Sequence, residues 1–229
     1  MISKELQNFI KDNVLKNNNK CKYLETGFLE GQSAHEMLLL GFEKVVSIEI
    51  DNNFIKLGKQ KFNSFIKSDR LEIVQGDSAE KIEQYYSDEF DVTFLDAHGT
   101  SDKNLIEKSA PLEQEINSII NKGLKDHQIL IIDDYLKIKY FFLFSYNNFD
   151  WRFLANRKKI DNLINQLNQK VYEVPYKGNC YLLVVGNNYT YKKKIFKNLF
   201  YKIYNIDFIL KYSYYLLKRI IKYYYKKFI

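Results

Sequence analysis

The sequence predicts an α/β fold: a doubly wound, mostly parallel sheet with a C-terminal antiparallel hairpin, followed by a basic amphipathic helical tail. Three observations carry this. Short apolar runs alternate with helix-length amphipathic stretches between residues 22 and 134, two strand-like runs flank a turn near residue 178, and the last forty residues change abruptly in charge. In chain order, Ile2, Leu6, Phe9, Ile10 and Val14 have helical spacing and lead into the loop-like Lys16–Lys20. Strands are expected at Lys22–Thr26, Val45–Ile50, Leu71–Gln75, Val92–Asp96 and Ile129–Ile132. Helices are expected between them at Ser33–Leu40, Asn53–Ile66, Ser78–Tyr86 and Leu112–Lys122. After an aromatic stretch, Tyr140–Phe144, comes a polar helix near Arg157–Gln169. Val171–Tyr176 and Cys180–Val185 then read as a hairpin around Lys177-Gly178-Asn179. The expected division is an N-terminal helix and linker at 1–20, a ligand-binding body at 21–188 and a tail at 189–229.

Composition narrows the class of function. With 229 residues, 46% hydrophobic and 28% charged, the chain lies in the globular range, and its two cysteines, Cys21 and Cys180, are too few for a disulfide scaffold. Lys4, Glu5, Lys11, Asp12 and Lys16 stand where a secretory signal would be apolar, so a cytoplasmic chain with reduced thiols is expected. The net charge of +7 is unevenly placed. Residues 192–229 hold 11 of the 35 Lys+Arg and 1 of the 28 Asp+Glu, which leaves residues 1–191 with 24 basic and 27 acidic side chains, a net of −3. The body is mildly acidic, and the basic character belongs to the tail.

Acids and glycines recur just past the apolar runs, at the expected carboxyl edge of the sheet, where open α/β sheets bind ligands. Leu24-Glu25-Thr26-Gly27-Phe28-Leu29-Glu30-Gly31-Gln32-Ser33 joins the first strand to the first helix. Its two glycines either let a ligand approach the helix N-terminus or simply make a compact turn. Glu49, about twenty residues on, and Asp51 beside it are candidates to accept the two hydroxyls of a nucleoside ribose, or to cap the next helix. Asp77 and Ser78 end the third strand and double as a helix cap. The fourth strand ends in Asp96-Ala97-His98-Gly99 and the fifth in Asp133-Asp134. His98 is a candidate general base or metal ligand. His35 and His127 read as structural or exposed.

In their order and spacing, Glu25-x-Gly27-x-x-x-Gly31, Ser47-Ile48-Glu49, Gly76-Asp77-Ser78, Phe94-Leu95-Asp96 and Ile131-Ile132-Asp133-Asp134 resemble the class I S-adenosylmethionine-dependent methyltransferases, which have a Rossmann-like fold. The resemblance implies that Glu25, Gly27, Gly31 and Ser33 form the cofactor loop region, that Glu49 binds the ribose of S-adenosylmethionine and that Asp77 with Ser78 flanks its adenine. Many members have a glycine where this chain has Leu29. A narrower resemblance is to the metal-dependent O-methyltransferases. It implies that Asp96, Asp133 and Asp134 hold a divalent cation, Mg²⁺ by donor chemistry, orienting a hydroxyl of a small-molecule or saccharide acceptor. That branch carries a lysine base three residues after the strand-four aspartate, where this chain has Gly99.

The tail interleaves Ile195/Phe196, Leu199/Phe200, Ile203/Tyr204, Leu216/Leu217 and Ile220/Ile221 with lysines, and no stretch reaches the ~20 apolar residues of a membrane span. It fits a helix lying on an anionic membrane surface, which would place the protein peripherally at the inner face, or an ordinary helix docked on its own domain or on a partner subunit. Two other functions remain open: an RNA or DNA methyltransferase whose tail grips phosphates, and a non-catalytic membrane-peripheral binding protein of the same fold.

Overall fold

The computed structural model describes residues 2–16, 18–97, 111–135, 157–176 and 179–192. Seven strands form one sheet: β1 (Lys22–Thr26), β2 (Lys44–Glu49), β3 (Leu71–Gln75), β4 (Val92–Leu95), β5 (Ile129–Ile132), β6 (Lys170–Tyr176) and β7 (Asn179–Val185). Their spatial order is β3-β2-β1-β4-β5-β7-β6. The first five run parallel, and β7 pairs antiparallel with both β5 and β6. The crossover direction therefore reverses between β1 and β4. That switch point is where the loops on the two sides part to leave a crevice.

The helices divide between the two faces as the strand alternation dictates. Tyr23, Val45, Val92, Phe94, Ile129, Ile131, Tyr181 and Leu183 point to one face. Against them pack α1 (Lys4–Ile10), continued by a π-helical turn at Lys11–Leu15, and α2 (Gln32–Leu40), with α3 (Asn52–Lys61) alongside. Leu24, Val46, Ile48, Leu95, Leu130, Ile132 and Leu182 point the other way, onto α5 (Ser78–Tyr85), α6 (Leu112–Lys122) and α7 (Arg157–Gln166). Both faces are covered, which explains why β4 and β5 read as continuous apolar runs.

The expected helix Asn53–Ile66 is two helices, because α3 ends at Phe62 and the short α4 (Asn63–Lys67) begins there. Phe62 leaves the helical region (φ −110°, ψ 23°) to bury its ring, 4% exposed, against Phe28 and His35. Aromatic burial outweighs one helical turn here. The expected aromatic stretch Tyr140–Phe144, His98 and the tail from residue 193 lie outside the described residues. Among the described residues no helix is long and apolar enough to cross a membrane.

Candidate active site

A row of backbone hydrogen bonds zips the C-terminal tips of the five parallel strands into one rim. Gly76 N donates to Glu49 O (2.9 Å), Gly27 N to Ile48 O (2.9 Å), Asp96 N to Thr26 O (3.2 Å) and Asp133 N to Leu95 O (3.1 Å). The candidate residues Gly27, Glu49, Asp96 and Asp133 are thus brought to one edge although 106 positions separate the first from the last.

Gly27 (φ +85°) and Gly31 (φ +72°) both adopt backbone conformations that L side chains rarely accept. A Cβ on Gly27 would lie 2.7 Å from the carbonyl oxygen of Asp96, so the β1 and β4 tips meet only because that atom is missing. Gly31 precedes α2 with no side-chain cap, leaving the first amides of that helix open to an anion. Between the glycines, Leu29 also takes positive φ (+47°).

Glu49 is 5% exposed, and its two oxygens reach in two directions. Oε2 accepts from Leu29 N and Oε1 from Asp51 N, each at 2.8 Å. It straps the glycine loop to the start of α3 and keeps further lone pairs for a ligand hydroxyl. Asp51 takes the capping role, accepting from Asn53 N at 2.7 Å. Asp77 also caps its helix, accepting from Ala79 N at 3.0 Å, and Ser78 is buried at the start of α5.

Glu25 and Ser33 lie beneath the loop instead of on its exposed surface. Glu25 is completely buried among hydroxyls, accepting from Ser47 Oγ at 2.7 Å and Tyr23 OH at 3.2 Å, and Ser33 also donates to it. Burial pushes its carboxyl pKa from 4.5 up to about 7 against the opposing pull of those hydroxyls. Tyr23 escaped sequence reading, although period-two alternation places it on Glu25's face, and Ser47 was read only as part of the strand-two motif, not as Glu25's partner.

Tyr181 was also missed. It is buried on β7 opposite the β5 tip, stacked on Tyr176 (5.4 Å, 22°). Its phenol pKa is raised by burial and then by the negative charge of Asp133, Tyr176 and Asp96. Both carboxylates therefore act on one aromatic wall. Asp134 departs from this arrangement, with φ +54° and its amide bonded to Asp133 Oδ1 at 2.6 Å. Among the described residues no group of three or more His, Cys, Asp and Glu side chains is placed to hold a metal ion. Asp96, Asp133 and Asp134, the residues expected to hold a divalent cation, follow the β4 and β5 tips, and the turn at Asp134 engages Asp133 locally.

The other two histidines are accounted for. His35 packs between Phe62 and Phe65, and His127 Nε2 contacts Asp88 O at 2.9 Å. At the opposite edge of the sheet an open groove of about 1020 Å³ includes Lys20, Lys22, Lys44 and Arg70. Lys22 there pairs with Glu89, Lys44 with Asp69 and Glu72, and Arg70 donates to the Leu38 and Phe42 carbonyls.

The family model described as O-methyltransferase matches residues 1–137, more than half of the chain and including every tip on this rim. The chain belongs to the O-methyltransferase family. Among solved structures, this O-methyltransferase is similar to the methyltransferase PaMTH1 of Podospora anserina, at 15% identity and TM-score 0.56 over 81% of this chain and 80% of that one. It is also similar to the Bacillus cereus O-methyltransferase, at 18% identity and TM-score 0.54 over 81% and 82%. A third is TomG of Streptomyces achromogenes, at 11% identity and TM-score 0.56 over 81% and 82%. Such likenesses speak for the fold. No curated protein sequence matches the chain.

Proposed function

We propose that this O-methyltransferase moves the methyl group of S-adenosylmethionine to a hydroxyl of a small-molecule or saccharide acceptor. The observation that carries the reading is the zipped rim, which gathers a Cβ-free turn, a buried ribose-type carboxylate and two further carboxylates around the β1/β4 switch point. The donor set suits the cofactor. Gly27 and Gly31 leave room for a ligand against the backbone, the α2 N-terminus favours its carboxylate, and Glu49 suits its ribose hydroxyls. The P. anserina and B. cereus structures hold bound S-adenosylhomocysteine, and TomG holds bound S-adenosylmethionine.

When bound, the cofactor supplies a sulfonium-activated methyl group. The chain's part is to hold the acceptor oxygen in line with that methyl and to receive its proton. Asp96, at the β4 tip beside Gly27, is the group proposed to orient the attacking hydroxyl, with His98 as the proposed partner for the proton. Asp133 and Tyr181 form the acceptor side. The described residues do not fit Mg²⁺ as a three-donor site, and the proposed roles rest on the side chains alone.

Calorimetry with S-adenosylhomocysteine on the full chain tests the reading; no binding heat from folded protein sinks it. Glu49→Ala is expected to weaken that binding by on the order of 10- to 100-fold, the equivalent of losing a charged hydrogen-bond partner. Unchanged affinity would remove the ribose assignment. Titration with Mg²⁺ alone is expected to give no saturable heat. For residues 192–229 a membrane surface is the proposed partner, and co-sedimentation with anionic vesicles but not with neutral ones is the expected result.

A further inference from the structure

Helix α3 carries a glycine in its interior, where glycine weakens a helix relative to alanine. Gly58 is buried there, and positive φ does not explain it. Space does. A Cβ on Gly58 would lie 2.8 Å from Phe28 Cζ and 2.9 Å from Ile73 Cδ1, closer than real Cβ contacts come. Phe28 belongs to the glycine loop, and its ring, 1% exposed, also closes on Gly31, where a Cβ would be 2.8 Å from Phe28 Cε2 and 2.6 Å from Phe62 Cε2. Phe62 meets that ring edge-on at 5.9 Å. The end of α3 adds a polar tie, Lys61 Nζ donating to Glu30 O at 3.0 Å.

Leu29 is the residue these ties surround. It is half-exposed and holds a left-handed conformation that a leucine keeps only when its surroundings over-determine it. Glu49 holds its amide from the crevice side, and Phe28, its immediate neighbour, is held from the interior.

We propose that Phe28 and Gly58 form a lock that presets the cofactor loop: the Phe28 ring seated in the slot that Gly58 leaves in α3 keeps Leu29 left-handed before any ligand arrives. This rests on the reading of residues 27–31 as the cofactor loop. Phe28 and Gly58 are positioning residues, and their effect on affinity comes from sparing the ligand the cost of ordering the loop. A glycine at position 29 would need no such lock, because it adopts positive φ without strain. The lock and the leucine therefore belong together.

The test is a size exchange in the full chain, read by amide hydrogen exchange at Leu29 without ligand and by the S-adenosylhomocysteine Kd. Phe28→Leu and Gly58→Ala are each expected to speed Leu29 exchange and raise Kd on the order of tenfold. The double variant, in which leucine vacates the space the new methyl occupies, is expected to recover Kd to within about threefold of the parent chain. Folded single variants with parental exchange and parental Kd overturn the lock, as does a double variant no better than the worse single one. Should Gly58→Ala fail to fold, Phe28→Leu decides alone, since it removes atoms without crowding. Should the parent chain bind no S-adenosylhomocysteine, the cofactor reading fails, while Leu29 exchange still decides the lock.

Discussion

Replacing Glu25 by glutamine is expected to make the protein more stable at pH 8 and to flatten the dependence of its stability on pH. Glu25 is fully buried, and its carboxyl pKa stands at about 7 instead of 4.5, chiefly through desolvation. A folded-state value raised above the unfolded one means that the folded chain binds more protons between those two limits. Stability from this group is then fully present below about pH 4.5 and is lost as pH rises through about 7. The displacement corresponds to about 3 kcal/mol. For a chain of this size that moves the thermal midpoint by roughly 6–12 °C. The other displaced groups among the described residues are tyrosines and Cys21, all raised and titrating above this window. Glu25→Gln keeps one acceptor oxygen, and the hydroxyls of Tyr23, Ser33 and Ser47 can rotate to receive the new amide hydrogens. Thermal unfolding of both proteins from pH 5 to pH 8 measures the effect. The curves should converge at the acid end and diverge by pH 8; parallel curves would mean that Glu25 is not the titrating group.

The same residue marks where sequence reading stops. Glu25 was legible as an acid at a strand tip, but its depth depends on Ser47, 22 positions later, and on α1 and α2 closing over that face. The sheet itself was readable because strands buried on both faces are written as short apolar runs. Lys22–Thr26, Leu71–Gln75 and Ile129–Ile132 have the expected bounds. Local pattern failed where tertiary packing outweighed it, at Phe62 between α3 and α4. Nor does any composition rule select the left-handed backbone of Asp134. Gly58 carried a usable signal, a glycine inside an amphipathic run, but the ring that explains it comes from thirty positions earlier.

Of the single substitutions on the rim, Gly27→Ala is expected to cost the most, because what stands in its way is backbone. The added methyl would lie 2.7 Å from the carbonyl oxygen of Asp96 and 2.9 Å from its carbon, and φ at +85° is already unfavourable for alanine. A side chain could turn aside. Here neither partner can yield alone, since Gly27 N is bonded to Ile48 O on one side and Asp96 N to Thr26 O on the other. Opening the gap means breaking the register between β1 and β4, the two central strands that flank the crevice. Strain and overpacking together amount to about 2–5 kcal/mol. If the chain folds by moving Asp96 aside, that displacement falls on the residue proposed to orient the acceptor. S-adenosylhomocysteine affinity should then drop roughly 100-fold or more, and any methyl transfer should fall with it. Gly41→Ala is the control for the cost of positive φ alone, because Gly41 sits at φ +121° with no atom within 4 Å of a Cβ built there. Denaturant unfolding and calorimetry on both variants separate the cases. Folded Gly27→Ala that binds S-adenosylhomocysteine within about threefold of the parent would show that the meeting of these two strand tips does not shape the cofactor site.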